Sequence, residues 1–377
     1  MACRVFVDAP LYRSQTRGGV NRFVSEITGA LTESDGFETV FYSRDINGIL
    51  ANHLLRRPYF RGWGYLPWLD RLVTSVALLR WQPDLYFNTY YAWQPYVRIP
   101  TVCAVYDLIY ERFPEQFAIA PRFLVRKEQA FRQADCLLCD SEATSNDLLG
   151  FYPFVDPGSV HVIHLGVDST FFRPVGSEIA RNTLSAKIGE GKYWLFVGRR
   201  EFPYKNFEGL LQGFVLSQSV STHKLVVIGG HPDGSAAERK LLGGLGLSGS
   251  VVLLGRVSDE VLRAAYVGAE ALVYPSLYEG FGLPLLEAMA CGTLVLSSGG
   301  ASLPEVGGDV SLYFEPRDPM ELATMLDRVA AMGASERAWR IQRGLERARH
   351  FSWQRCAGRV VDLFRAIVPD GNRNRRS

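Results

Sequence analysis

The chain has 377 residues, 47% hydrophobic and 21% charged, which is a soluble globular composition long enough for about two domains. A net charge of +2 argues against nucleic acid or another polyanion as a partner. The six cysteines sit mostly in apolar runs, as expected in a reducing compartment rather than in a disulfide framework.

The opening run Cys3–Asp8 is too short for a secretory leader and carries Arg4 and Asp8. No apolar run approaches the length of a membrane span, so the expected location is cytoplasmic, with peripheral contact to the inner face of a membrane left open. A first strand over Arg4–Val7 leads into Gly18-Gly19 and a helical pattern through Val20, Phe23, Val24, Ile27 and Leu31. Two glycines at a strand's carboxyl end, just before a helix, lie where open α/β sheets bind ligands. Further strands are predicted at Thr39–Tyr42, Asp84–Phe87, Val102–Tyr106, Cys136–Cys139 and His161–Ile163, with helical patterns between them. This alternation implies a doubly wound parallel sheet. Cys136 and Cys139 form a C-x-x-C, but DCLLCDS reads as a buried strand and no second Cys or His pair completes a zinc site.

Between Arg44 and Trp81 the sequence interleaves six arginines with Tyr59, Phe60, Trp63, Tyr65 and Trp68. Arginine among amphipathic aromatics suits a peripheral membrane patch, and equally a surface facing an acceptor over a partly buried aromatic cluster.

A second alternation begins after residue 170. Its first strand, Trp194–Val197, runs into Gly198, Arg199 and Arg200, then Lys205-Asn206 and a helix containing Phe207, Leu210, Leu211 and Phe214. Cations at a strand's carboxyl end beside a helix start suit a diphosphate, and either Arg199 or Arg200 fits with Lys205. Strands Leu225–Ile228 and Val251–Leu254 each end in glycine, Gly229 and Gly255, which leaves a shelf for a flat base. Leu272–Tyr274 and Thr293–Leu296 then flank the segment LYEGFGLPLLEAMACG. Pro284 suits a first helical position and Gly292 a helix end. Gly280 and Gly282 would let the N–H groups near Gly282, Leu283 and Leu285 converge on an anion at that helix start. Glu279 and Glu287, eight positions apart, bracket the site. The chain closes with helical patterns over Ser335–Ala348 and Trp353–Ile367, and with an arginine-rich tail, Asn372–Ser377, predicted to be disordered.

The segment from Glu279 to Glu287, EGFGLPLLE followed by AMACG, resembles the retaining glycosyltransferases with the E-x7-E signature, family four-like and closest in pattern to mannosyl- and rhamnosyltransferases. That resemblance implies the GT-B architecture: two Rossmann-like α/β domains facing a central cleft. The first, 1–170, would serve the acceptor and take a crossover helix at about 353–370. The second, 171–352, would hold the donor.

Several segments extend the resemblance. Val105-Tyr106-Asp107-Leu108 is similar to the family's V-H-D-L, with Tyr106 where histidine is common and Asp107 as a second catalytic candidate beside Glu279. Ser141 and Glu142 are similar to a Ser-Glu pair facing the cleft, and Gly18 and Gly19 to a glycine pair lining it. The resemblance gives Gly19, Ser141, Arg199, Arg200, Lys205, Gly229, Arg256, Val257, Phe281, Gly282, Leu283 and Glu287 to the donor, and Tyr106 to the sugar or acceptor. It implies a nucleotide-diphospho-sugar donor, GDP-mannose-like or UDP-linked, and a glycan, lipid-linked glycan or small-molecule acceptor, with retained anomeric configuration. No two aspartates stand two apart as metal-dependent enzymes commonly present them, so no metal and no cofactor are expected. A nucleotide-sugar epimerase on the same fold and an inactive nucleotide-sugar-binding scaffold are the alternatives.

Overall fold

The computed structural model describes residues 2–12, 18–56, 67–92, 94, 98–117 and 120–368. Tyr59, Phe60, Trp63 and Tyr65 of the arginine–aromatic stretch, and the tail Asn372–Ser377, lie outside these. Chain contacts divide into two compact units, Met1–Gly166 with Trp353–Ser377, and Val167–Ser352.

The first unit holds strands β1 (Cys3–Asp8), β2 (Phe37–Ser43), β3 (His53–Arg56), β4 (Leu85–Asn88), β5 (Thr101–Val105), β6 (Cys136–Cys139) and β7 (Val160–Val162). All pair in parallel in the order β3-β2-β1-β4-β5-β6-β7. The inner strands are almost wholly apolar because helices cover both faces, so nearly every side chain is buried. The C-terminal helix Trp353–Ile367 belongs to this unit: it packs on the helix Gly19–Glu33, sets the Phe364 ring 5.2 Å from Phe87, and donates from Arg359 to the Val162 carbonyl.

The second unit holds β8 (Lys192–Val197), β9 (His223–Ile228), β10 (Val251–Gly255), β11 (Ala271–Tyr274), β12 (Val295–Ser298) and β13 (Leu312–Phe314), ordered β10-β9-β8-β11-β12-β13 and again parallel. Its core is built on Trp194, Phe196, Phe214, Val227 and Leu296. Each large side chain so buried contributes about 1.5–3 kcal/mol. In both sheets the order reverses beside the unit's own first strand, between β1 and β4 and between β8 and β11. The carboxyl ends there are where doubly wound sheets bind ligands.

Strand β12 begins two residues later than the sequence pattern suggests. Thr293 is held by the preceding helix and its neighbour instead, its N–H donating to Ala288 and its hydroxyl to the Tyr266 carbonyl. The edge strands β3 and β13, absent from the sequence reading, are too short to show a period. All six cysteines are buried free thiols, and burial pushes Cys103, Cys136, Cys291 and Cys356 up to about 12. Among the described residues no helix is long and apolar enough to cross a membrane.

Candidate functional site

In the second unit, the loops after β8 and β11 meet at the reversal point. After β8 the chain makes a tight turn over Pro203–Lys205 and enters the helix Phe207–Leu216 through Asn206, which is left-handed at φ 53°. The Asn206 amide ties this turn to the next loop by donating to the carbonyls of Pro275 and Pro316, while the Leu277 N–H donates to Tyr204. Lys205 is thereby delivered to Glu279, Nζ to Oε1 2.6 Å, and to the Tyr274 hydroxyl at 3.2 Å. Only 12% and 11% of the two charged side chains is exposed, so the pair is weakly screened.

The helix beside this pair spans Leu283–Ala290, one residue earlier than Pro284 suggested, with Gly282 at its cap in the left-handed region (φ 106°). The conformation favours glycine, and a Cβ there would lie 2.8 Å from Leu303 Cδ2, which would have to move. Beneath the loop Ser302, fully buried, sets its hydroxyl 2.9 Å from the Glu279 carbonyl and 2.8 Å from that of Phe281. The helix N-terminus thus opens beside Lys205 and Glu279 with its positive dipole end. The Leu285 N–H, expected among the anion donors, is engaged by the Gly282 carbonyl instead. Phe281 is buried and Leu283 half-buried. One turn on, Glu287 accepts from the Tyr266 hydroxyl at 2.8 Å, and burial, added to by the Glu287 charge, pushes that phenol well above its usual value.

The two arginines part company. Arg200 is buried, its guanidinium bridging Glu238 (2.7 Å) and the carbonyls of Gly229 and His231. Its Nε, Nη1 and Nη2 are thereby all engaged by protein acceptors. Arg199 is 67% exposed, paired with Glu201 at 2.9 Å and lying 4.5 Å over the Phe202 ring. Gly229, at φ 110°, passes so close to Gly198 that a Cβ would sit 2.2 Å from its carbonyl oxygen, and its N–H donates to Gly255. Arg256 is exposed and Val257 half-buried, just ahead of the Ser258-capped helix Asp259–Gly268.

The first unit brings together a separate group. Tyr106 follows β5, buried, 5.8 Å edge-on to Phe23, with a hydroxyl that has no hydrogen-bond partner among the described residues. Burial raises its pKa well above the usual phenol value. Asp107 accepts from the Ile109 N–H through Oδ1 and from Lys127 through its carbonyl. Ser141 caps the helix Glu142–Phe151 by accepting from the Thr144 N–H. Gly18 precedes the helix Gly19–Glu33 in extended conformation, with nothing within 4 Å of a Cβ, so neither backbone nor space demands glycine there.

Tyr274, Tyr266 and Ser302 are missing from the sequence-based set, although each positions a residue within it. Tyr274 reads as the end of an apolar strand, and Ser302 as the first residue of a segment, SLPEV, that is similar to the family's pattern. Only the loop's return beneath Glu279 shows what Ser302 does.

Two doubly wound parallel sheets with these reversal points define the GT-B class of fold. Among solved structures, sucrose-phosphate synthase from Thermosynechococcus elongatus superposes with a TM-score of 0.81 at 22% identity, covering 97% of this chain and 99% of that one. Anabaena HepE in complex with UDP-glucose gives 0.76 at 17%, over 96% and 99%. Residues 17–171 match the family model for Glycosyltransferase Family 4, and residues 182–344 that for Glycosyl transferases group 1. The chain belongs to this glycosyltransferase family. It is 36% identical over 183 residues to the O-antigen chain mannosyltransferase B of Escherichia coli, 46% of each chain. It is 32% identical over 252 residues to the MMP alpha-(1->4)-mannosyltransferase of Mycolicibacterium hassiacum, 65% of this chain and 57% of that one. The matches thus span about half the length of these curated relatives.

The arginine geometry makes a direct prediction. Arg200→Ala strands Glu238 and two carbonyls, and should lower unfolding stability by about 3 kcal/mol in a denaturant titration. Arg199→Ala should stay within about 0.5 kcal/mol of wild type.

Proposed function

We propose that this protein is a retaining glycosyltransferase that moves a hexose from a nucleotide-diphospho-sugar to a hydroxyl of a glycan, lipid-linked glycan or small-molecule acceptor. The observation that carries the proposal is the nearly buried Lys205–Glu279 pair beside the N-terminus of Leu283–Ala290. A cation, a helix N-terminus and a carboxylate within one loop cluster match a diphosphate next to a sugar that develops positive charge.

On this proposal Lys205, Arg199 and the loop N–H groups take the charge on the departing diphosphate, in place of a metal. Gly229, Arg256 and Val257 lie against the base, and Glu287 accepts from the ribose hydroxyls, held in aim by Tyr266. Glu279 fixes a donor hydroxyl or stabilises the anomeric centre. The acceptor oxygen attacks the anomeric carbon on the face the phosphate leaves. The C–O bond to phosphate breaks, and the acceptor's proton passes to the leaving phosphate oxygen. Trapping a covalent glycosyl-enzyme by mass spectrometry would contradict this route. The names of the mannosyltransferase relatives favour a GDP-mannose-like donor and a place in polysaccharide biosynthesis, whereas the UDP-glucose complex of HepE supports a UDP-sugar. Acceptor recognition and Asp107 and Tyr106 are assigned to the first unit.

Peripheral membrane contact is proposed for the helix Pro67–Trp81. Its Leu72, Val76 and Leu79 recur at helical spacing yet are 55%, 58% and 77% exposed, and Arg71 and Arg80 lie on the same helix. The wild type should sediment with vesicles containing anionic lipid, and Leu72→Ser/Val76→Ser/Leu79→Ser should not. Equal sedimentation of the two would contradict this contact.

The activity itself is tested with a panel of nucleotide sugars, with and without acceptors, followed by NMR. Release of nucleoside diphosphate together with a glycoside of retained configuration is expected. Donor epimerisation without acceptor would indicate an epimerase, and binding without turnover an inactive scaffold. Within the active pairing the two glutamates should fail differently. Glu287→Gln should raise KM and weaken product-nucleotide binding in parallel. Glu279→Gln should cut kcat by about 10²-fold while calorimetry still shows nucleoside diphosphate binding. The opposite pattern would mean that the two roles are reversed.

A further inference from the structure

Lys127, on the helix Ala120–Gln133, is a fully buried cation far from any surface role. Its Nζ donates to the Asp107 carbonyl at 2.7 Å and lies 2.9 Å from Glu111 Oε1, a carboxylate itself only 5% exposed. Glu111 in turn accepts from the Tyr152 hydroxyl at 2.7 Å. The ammonium also lies 5.0 Å from the centre of the Tyr91 ring. Tyr91 stands in the left-handed region at φ 47°, and its hydroxyl accepts from the Tyr106 N–H at 3.4 Å.

A buried ion pair is weak evidence for stability, since apolar residues of similar volume commonly serve as well or better. What Lys127 and Glu111 supply that apolar residues cannot is direction. One cluster holds the Tyr106 N–H through Tyr91 and the Asp107 carbonyl through Lys127, so both ends of the Tyr106-Asp107 dipeptide are tied. Those two residues follow the carboxyl end of β5, on the edge of the sheet along which doubly wound folds bind ligands. We propose that Lys127 is a positioning residue that, with Glu111 and Tyr91, sets the Tyr106-Asp107 backbone for glycosyl transfer; this rests on the glycosyltransferase function proposed above. Lys127 touches no substrate, and it acts through the peptide it holds.

The test is Lys127→Met/Glu111→Leu, which removes both charges and keeps the volume, beside Tyr91→Phe, which removes only the hydroxyl tie. In the double variant the melting temperature should stay at or above wild type. Amide exchange across residues 104–112 should quicken by about tenfold or more, and kcat should fall by about tenfold or more with KM for the donor unchanged. Tyr91→Phe should show the same local exchange change in smaller degree. Wild-type exchange in both variants, or quickened exchange with full kcat, would overturn the proposal. So would loss of the fold in the double variant alongside wild-type behaviour of Tyr91→Phe, which would make the cluster purely structural. The exchange measurement needs no substrate, so an inactive wild type would count against the proposed function while exchange still decides the positioning.

Discussion

An ammonium and a carboxylate held 2.6 Å apart, both nearly buried, tie together the two loops at the second unit's reversal point. Lys205 and Glu279 lie 74 positions apart in sequence. They meet because β8 and β11 are neighbours at the sheet's reversal point, because Asn206 clamps one loop to the other, and because Ser302 supports the glycine loop from below. Removing either residue would leave the other a nearly buried charge without its ion-pair partner. On the proposed function, an incoming diphosphate would offer Lys205 a second anionic partner beside Glu279.

The first unit uses the same kind of device for a different end. Lys127 and Glu111 are more deeply buried than Lys205 and Glu279, and their geometry is taken up by a backbone carbonyl rather than by an opening. The Arg200–Glu238 pair is similar, fixing the Gly229–His231 turn. In these two pairs the buried cation holds a backbone carbonyl that follows a strand's carboxyl end.

Much of the fold was legible because it is local. Continuous apolar runs of four to six residues between helical patterns mark buried parallel strands, and EGFGLPLLE carries its own loop chemistry. What escaped is set by distant partners. Arg199 and Arg200 are adjacent and chemically identical, and the inward one is chosen by Glu238, 38 positions on. Lys127 sits in RKEQAF, where the charge pattern reads as a solvated helix face, and only the fold brings Glu111 and Tyr91 around it. Tyr266 and Tyr274 satisfy every criterion of core residues, and only their hydroxyls, one on the Glu287 carboxylate and one on the Lys205 ammonium, show the further role.

The most direct measurement is a calorimetric titration of wild type and Lys205→Ala with nucleoside diphosphate and nucleoside monophosphate. If Lys205 meets the distal phosphate, the substitution should weaken diphosphate binding by about 1.5–3 kcal/mol, the value of a charged hydrogen bond, and monophosphate binding much less. Equal losses for both nucleotides, or no loss for either, would contradict the assignment of this pair to the donor diphosphate.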